Sequence, residues 1–154
     1  MAMRRSGFTM LELMIVIVIV GVLALVGFPK IKDAIQKTNV RSARVAAGTY
    51  VATARAAAIQ RGCRGVVHFS ASTGAVWVTV CPRMSPTGSG TIDTIGVVSQ
   101  LGTLYNITLS ETQDSVQFDP RGLRLNNNST TVWFAASSGE QDSIVINQLG
   151  KVVR

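Results

Sequence analysis

The pattern of apolar and polar positions begins with a long apolar stretch. Residues 13–28 contain neither a charge nor a proline, and residues 8–12 extend this stretch with only Thr9 and Glu12 as polar positions. About 20 residues are needed to cross a hydrocarbon core that is roughly 30 Å thick. The stretch, which ends at Pro29, therefore has the length and composition of a transmembrane helix.

After Pro29 the apolar residues recur at spacings of three and four, which predicts an amphipathic helix that ends at Gly62 as a C-cap. A nearly continuous helix from Phe8 to Arg61 would be about 80 Å long at 1.5 Å per residue. The predicted packing face consists of Ile31, Ala34, Ile35, Ala43, Ala46, Ala47, Tyr50, Ala54, Ala57 and Ala58, and the opposite face carries Lys37, Arg41, Arg44 and Arg55.

Beyond Gly62 the period changes to two, which is typical of strands. Residues 65–70 and 75–80 flank a turn at 71–74 and predict a hairpin. Further strands are predicted at 95–98, 104–109, 115–118, 131–135, 143–146 and 151–153, with a loop containing Pro82, Pro86, Gly88 and Gly90 and a turn at 126–129. The fold class is therefore α+β, in which a long N-terminal transmembrane and amphipathic helix packs on an antiparallel β-sheet head.

Composition and charge narrow the classes of protein to which the chain can belong. The 154 residues suffice for one domain, and 47% hydrophobic against 15% charged residues excludes a disordered chain. Arg4 and Arg5 precede the apolar stretch, so the positive-inside rule keeps the N-terminus in the cytoplasm and sends the remainder across the membrane. One histidine and two cysteines are too few for a metal site rich in these residues.

Glu12 is an acid inside an apolar segment, where insertion costs roughly 2.5–3.5 kcal/mol. Arg4 and Arg5 could serve as its partners by snorkelling. If the chain were cut between Gly7 and Phe8, the new α-amino group of Phe8 would lie within one helical turn of Glu12, or could pair with Glu12 of a neighbouring subunit. An ordinary signal peptide is disfavoured because no Ala-x-Ala site follows the apolar run.

Residues 4–18, Arg-Arg-Ser-Gly-Phe-Thr-Met-Leu-Glu-Leu-Met-Ile-Val-Ile-Val, resemble the class III signal sequence of type IV pilins and pseudopilins. The resemblance implies that a prepilin peptidase cleaves after Gly7 and N-methylates Phe8. It equates Glu12 with the family's assembly glutamate and Pro29 with its helix-kinking proline. We therefore expect a leader at 1–7, a transmembrane and filament-core helix at 8–29, the amphipathic half at 30–62, and a periplasmic head at 63–154.

The head resembles the GspH/FimT family through residues 56–62, 116–122 and 144–154. This resemblance implies a minor subunit of a type II secretion pseudopilus or of a type IV pilus, which sits in the bacterial inner membrane with a periplasmic head and needs no cofactor. The expected partners are other pilin or pseudopilin subunits, the prepilin peptidase, the inner-membrane assembly platform and the membrane itself.

Cys63 and Cys81 come nearly opposite each other when the hairpin pairs across its turn. An oxidising compartment beyond the inner membrane favours a disulfide between them. The alternative is two free buried thiols.

A DNA receptor for uptake is the alternative function. From Lys30 onward the chain has 13 basic and 7 acidic residues, a net charge of +6, and a basic surface favours phosphate binding. The family's DNA-binding members end in Gly-Arg-x-Arg, whereas this chain ends in Gly-Lys-Val-Val-Arg, which displaces the last arginine to the other face of a strand. Candidate DNA or anion contacts are Lys151, Arg154, Arg121 and Arg124. Trp77 and Trp133 lie in apolar strand patterns that favour core packing over base stacking.

Catalytic constellations are not found in the sequence. His68 alternates with apolar residues in a strand, and neither a Gly-x-Ser-x-Gly elbow nor a Gly-x-x-x-x-Gly-Lys loop is present. Glu140 and Asp142 could contribute to a calcium site, but the loop pattern is unmatched. We therefore expect no enzymatic activity and no metal.

Overall fold

The computed structural model describes residues 8–81 and 92–153. Its elements are α1 (Met10–Arg61), β1 (Gly65–Ser70), β2 (Ala75–Val80), β3 (Asp93–Gln100), α2 (Leu101–Tyr105), β4 (Ile107–Glu111), β5 (Ser115–Phe118), β6 (Thr130–Ala136), β7 (Gln141–Ile146) and β8 (Val152–Val153). The predicted α+β class is confirmed. The chain divides into two compact units, the first ending at Ile35 and the second starting at Gln36. The predicted loop residues Pro82, Pro86, Gly88 and Gly90 lie outside the described residues.

Helix α1 is 52 residues long and continues through Pro29. Because proline has no N–H, the helix lacks one i→i−4 hydrogen bond at this position. The alanine-rich sequence after Pro29 compensates with a high helix propensity. The kink at Pro29 stays a prediction.

Gly62 ends helix α1 as the sequence predicts. Its φ of 63° lies in the left-handed region that glycine adopts without strain. The Gly62 N–H donates to the Ile59 carbonyl at 3.3 Å, and the Cys63 N–H donates to the Ala58 carbonyl at 3.2 Å. These two bonds form a Schellman motif, which satisfies the last helix carbonyls and turns the chain into the first strand.

The eight strands within residues 8–81 and 92–153 form two antiparallel sheets, not the single sheet predicted. One has the order β3-β2-β1-β5 and the other β4-β6-β7-β8. The predicted hairpin is present, with Ser70 opposite Ala75 across its turn. The division arises after β3, because β4 pairs with β6 and not with its predecessor.

Residues 104–109, predicted as one strand, contain the end of helix α2 and the start of strand β4. Asn106 adopts left-handed angles (φ 51°, ψ 54°), and its N–H donates to the Gly102 carbonyl. Leu101 is fully buried at the start of this short helix. A single helical turn capped by asparagine thus interrupts an apolar alternation that resumes only at Ile107. Asn106 tolerates these angles because its short polar side chain suits the left-handed region.

The core of the second unit combines the packing face of α1 with the inner faces of both sheets. The largest contributors are Val40, Ala43, Ala47, Val51, Ala54 and Ala58 from α1, Val67, Phe69, Val76 and Val78 from the first sheet, and Val132, Phe134, Ile144 and Ile146 from the second. The predicted alanine face is therefore confirmed from Ala43 onward. Ile31 and Ile35 are more than half exposed instead, because both precede the second unit and its core.

Small side chains bring the helix and the first sheet together. A Cβ atom added to Gly65 would lie 2.4 Å from the Ala54 carbonyl oxygen. Strand β1 thus passes against the helix backbone itself, which only glycine permits.

Arg44, predicted to lie on a solvated helix face, is mostly buried and forms an ion pair. Its Nε lies 3.1 Å from Oδ2 of Asp142 on β7. The prediction was wrong because the second sheet covers this side of α1, which the helix periodicity alone did not indicate.

The predicted disulfide is confirmed. Cys63 and Cys81 are bonded with a Cα–Cα distance of 6.1 Å, and the alternative of free thiols is wrong. The Cys81 N–H also donates to the Arg64 carbonyl at 3.1 Å. The bridge fastens the end of the first hairpin to the end of α1.

Replacing both cysteines with serine should lower the free energy of unfolding of the head by about 3 kcal/mol, because the bridge closes a loop of 18 residues. Urea denaturation of the detergent-solubilised chain, followed by tryptophan fluorescence, measures the change. An unchanged midpoint and slope would contradict the assigned role of the bridge.

Candidate assembly surface

The first part of α1 presents an apolar surface that no other part of the described chain covers. Every residue from Phe8 to Leu23 is exposed, and Ile17, near the middle, has 61% of its surface accessible. The most apolar 18 consecutive residues of α1 include no buried residue. By length and composition this segment can cross a membrane. An exposed apolar area of this size calls for lipid or other proteins as its surroundings.

Thr9 caps the start of α1. Its Oγ1 accepts a hydrogen bond from the Glu12 N–H at 3.2 Å, and its carbonyl accepts the first helical bond from the Leu13 N–H at 3.2 Å. Thr9 is therefore the N-cap and Glu12 the third helical residue, the spacing of a capping box. Sequence reasoning missed Thr9, although the pattern Thr-x-x-Glu before an apolar run carries the signal.

Phe8 precedes the cap and is 78% exposed. The helix starts at Met10, so Phe8 lies before its first turn. The pairing of the Phe8 amine with Glu12 after cleavage stays a prediction. Glu12 is exposed on the first turn. Phe8 and Glu12 therefore both lie at the N-terminal end of the helix, and the capping residue Thr9 stands between them in the sequence. Gly7, Arg4 and Arg5 lie outside the described residues.

Small residues form a notch in the apolar surface of α1 between residues 20 and 31. Ala24 and Gly27 lie between the larger side chains of Leu23, Phe28 and Ile31, and the hollow has a volume of about 370 Å³. A Cβ at Gly27 would meet nothing within 4 Å. Small residues at such positions allow another helix to approach closely.

Arg124, a candidate DNA contact, is buried inside the head. Its residue surface is 7% accessible, and its guanidinium donates to the Ile146 carbonyl at 2.9 Å, to Gln113 Oε1 at 2.6 Å and to Thr130 Oγ1. Burial lowers the pKa of Arg124. The guanidinium thus contacts strands β6 and β7 of the second sheet and the loop that holds Gln113. It is not available to an external phosphate, so Arg124 is corrected from a surface contact to a core group.

The described residues show no basic patch formed by the other candidate DNA contacts, which are Arg121, Lys151 and Arg154. Arg121 is exposed, but its Nε donates to Asp119 Oδ2 at 2.9 Å. The Leu123 N–H and this arginine hold the pKa of Asp119 below its usual value. Lys151 is exposed, and Arg154 lies outside the described residues.

Both tryptophans face outward from their sheets, contrary to the predicted core packing. Trp77 is half-buried and stacks on His68 with ring centroids 4.9 Å apart. Trp133 is 40% exposed and lies between Ser110 and Ser143 in register. The strand alternation places Val76, Val78, Val132 and Phe134 inside and leaves the tryptophans outside.

His68 is part of the packed outer face of the first sheet. Its Nε2 lies 2.8 Å from Thr79 Oγ1. Burial lowers the pKa of His68, while the nearby Asp114 carboxylate raises it to a smaller extent. Burial therefore disfavours the protonated form of the imidazole.

In the described part of the chain no group of three His, Cys, Asp or Glu side chains could hold a metal ion. Asp142, one of the calcium candidates, pairs with Arg44. The Glu140–Asp142 segment therefore offers no set of free carboxylates.

Two family models match the chain. The prokaryotic N-terminal methylation motif matches residues 2–28, the segment that contains the candidate cleavage site, the Thr9 cap and Glu12. The type II transport protein GspH model matches residues 48–150, two thirds of the chain. No protein in the curated collection of sequences matches.

The head fold is similar to two solved minor subunits. The type IV minor pilin FimU of Pseudomonas aeruginosa PAO1 is 13% identical with a TM-score of 0.58, covering 75% of this chain and 87% of FimU. The minor pseudopilin EpsH of the type 2 secretion system of Vibrio cholerae is 10% identical with a TM-score of 0.55, covering 75% of this chain and 94% of EpsH. At these identities the likeness concerns the fold.

The lowered pKa of His68 predicts a pH dependence of stability. Because its pKa is lower in the folded chain, the unfolded chain binds the proton first as the pH falls, and stability decreases from about pH 6.5 downward. The loss is at most about 1.4 kcal/mol per pH unit for one proton. Urea denaturation between pH 7.5 and 5.5 should show the decrease in the native chain and a smaller one in His68→Gln. Equal slopes for both chains would contradict the assignment.

Proposed function

The chain belongs to the GspH family and carries a prepilin-type methylation motif, and from this premise we propose that it is a processed minor subunit that enters a type IV filament through α1. The filament is the pseudopilus of a type II secretion system or a type IV pilus. The observation that carries the proposal is the exposed apolar segment from Phe8 to Leu23, which begins with a capped, acid-bearing turn.

The apolar segment serves two environments in turn. In the membrane its side chains contact lipid, which keeps a pool of subunits available. In the filament they contact the apolar helices of other subunits, so the same surface is covered in both states. Since lipid and apolar side chains solvate the segment about equally well, the transfer is not opposed by a large hydrophobic term. Close packing at the notch around Gly27 and pairing of Glu12 favour the filament.

Processing prepares the first turn for this transfer. A prepilin peptidase cleaves between Gly7 and Phe8 and methylates the new amine, which remains positively charged. The amine then neutralises Glu12, either of its own chain or of an adjacent subunit, and so sets the axial register. The acid, costly in an apolar environment, thereby selects a partner.

The orientation follows from charge. Arg4 and Arg5 lie on the cytoplasmic side by the positive-inside rule. The head is therefore directed to the periplasm. The assembly platform engages the subunit at the inner membrane. The disulfide between Cys63 and Cys81 supports this location, because disulfides persist in oxidising compartments.

DNA uptake is not retained as the function. Arg124 forms hydrogen bonds in the core and Arg121 pairs with Asp119. These two arginines therefore do not form a phosphate-binding surface. A structural role without catalysis also accords with the lone His68, whose ring is packed against Trp77.

Mass spectrometry of the chain purified from membranes tests the processing step. When a prepilin peptidase is co-expressed, we expect a polypeptide that starts at Phe8 and carries one methyl group on its amine. A chain that keeps residues 1–7, or one cut at any other bond, would contradict the proposal.

Replacing Glu12 with Ala or Val should leave membrane insertion and cleavage intact but reduce incorporation into sheared filaments at least tenfold, because the amine of Phe8 loses its partner. The matched control is Glu140→Ala, which removes an exposed acid of the head. Quantitative immunoblotting of membrane and filament fractions gives the ratio. Normal incorporation of the Glu12 variants would refute the register argument.

A further inference from the structure

Within the second unit, two hollows lie along the side of α1 that the sheets leave uncovered. The larger one, which we call the α1–α2 hollow, has a volume of about 450 Å³ and is lined by Thr38, Arg41, Ser42, Val45, Ala46 and Tyr105. The smaller one has a volume of about 310 Å³ and is lined by Arg44, Val45, Gly48, Ile144, Val152 and Val153. Val45 borders both hollows and is 58% exposed, so it forms a ridge between them.

The surroundings of the α1–α2 hollow are apolar and open. Ser42 and Ala46 have small side chains, and a Cβ atom added to Gly48 would meet nothing within 4 Å. Leu104, which precedes Tyr105 on α2, is 67% exposed. Exposed apolar side chains that are grouped in this way mark surfaces at which another molecule is bound.

Arg41 and Tyr105 place polar groups in the same hollow. Arg41 is exposed, and among the ion pairs of residues 8–81 and 92–153 none includes it. No hydrogen bond within these ranges involves the side chain of either residue. Because a guanidinium donates five hydrogen atoms and accepts none, and a phenol also donates one, the group that suits both residues is an acceptor.

The charge on this part of α1 is of one sign. From Gln36 to Arg61 the helix has no acidic residue, and its basic residues are Lys37, Arg41, Arg44, Arg55 and Arg61. Strand β7 supplies the Asp142 carboxylate to Arg44, with the two side-chain atoms 3.1 Å apart. Arg41, one helical turn earlier, receives no carboxylate from the described part of the chain. An acidic group of a second molecule would complement its charge.

A protein segment fits this hollow better than a nucleic acid does. Nucleic acids are held by several cations that follow the phosphate backbone, whereas Arg41 is the one cation that lines the α1–α2 hollow. Arginine and tyrosine are enriched among the residues that contribute most to binding between proteins. A single arginine, a tyrosine and apolar walls therefore indicate a peptide segment in which one acidic residue stands beside apolar residues.

We propose that the α1–α2 hollow docks a segment of an adjacent pilin or pseudopilin subunit that carries an aspartate or glutamate beside apolar side chains. The carboxylate accepts hydrogen bonds from the Arg41 guanidinium and the Tyr105 hydroxyl, and the apolar side chains cover Val45 and Leu104. The inference rests on the proposed function, since assembly brings the adjacent subunit to α1. It adds to the apolar segment a contact on the head that selects the neighbouring subunit by charge.

Site-specific crosslinking identifies the segment that occupies the hollow. A diazirine amino acid of similar size can replace Leu104 in the full chain. Irradiation of sheared filaments should give an adduct with another pilin or pseudopilin subunit, and the crosslinked peptide should contain an aspartate or glutamate. The same adduct should be absent from membranes that lack the assembly platform. Adducts with nucleic acid or lipid alone, a crosslinked peptide without an acidic residue, or no protein adduct would overturn the inference.

Charge reversal tests the role of Arg41. Arg41→Glu should lower incorporation into sheared filaments about tenfold, because the carboxylate of the neighbour then faces a second carboxylate. Arg41→Gln removes the charge without reversing it and should give a smaller loss. The matched control is Arg64→Glu, which reverses an exposed cation beyond the end of α1 and should leave incorporation within twofold of the native value. Equal amounts of each variant in the membrane, with the disulfide formed, show that folding is retained.

A compensating change completes the test. When the acidic residue of the crosslinked peptide is replaced by arginine in the neighbouring subunit, incorporation of Arg41→Glu should return to within threefold of the native value. Normal incorporation of Arg41→Glu, or a loss that the compensating change does not repair, overturns the inference. Absence of the native chain from the filaments would instead contradict the proposed function.

Discussion

The rest of the molecule depends on one constraint, a helix surface that no other described part of the chain covers. From Phe8 to Leu23 each residue is exposed, and burial of such side chains is worth roughly 25 cal/mol per Å² of apolar area. Water is therefore excluded as a lasting environment for this segment. Lipid and the apolar helices of other subunits remain. In the function that we propose, Glu12 at the start of the segment favours the filament, because an adjacent subunit supplies a positively charged amine at a fixed position and lipid does not.

The later part of the same helix is buried in the head instead of exposed. From Val40 onward the buried face consists mainly of alanine and valine, and Gly65 lets strand β1 contact the helix backbone. Such small residues allow two sheets to share one helix as their core element. The Schellman motif at Gly62 and the disulfide from Cys63 to Cys81 then secure the junction where the helix ends and the first sheet begins.

Much of this arrangement could be predicted from the sequence, since its signals are local. The apolar stretch, the glycine that ends α1, the first hairpin and the disulfide follow from spacing along the chain. The features that the sequence did not predict depend mainly on long-range pairing. The separation into two sheets, the ion pair of Arg44 with Asp142 and the burial of Arg124 depend on which strands become neighbours. Helix α2 was missed because one capped turn at Asn106 resembles a strand in its apolar content. Trp77 and Trp133 were assigned to the wrong face because valine and phenylalanine beside them satisfy the core equally well.

The most direct measurement concerns what surrounds the middle of the apolar segment. A photo-crosslinking amino acid can replace Ile17, which is exposed in the isolated chain. Irradiation of membranes that lack the assembly platform should give lipid adducts, and irradiation of sheared filaments should give covalent adducts with another pilin or pseudopilin subunit. Lipid adducts in both samples, or the absence of the chain from the filaments, would contradict assembly through this surface.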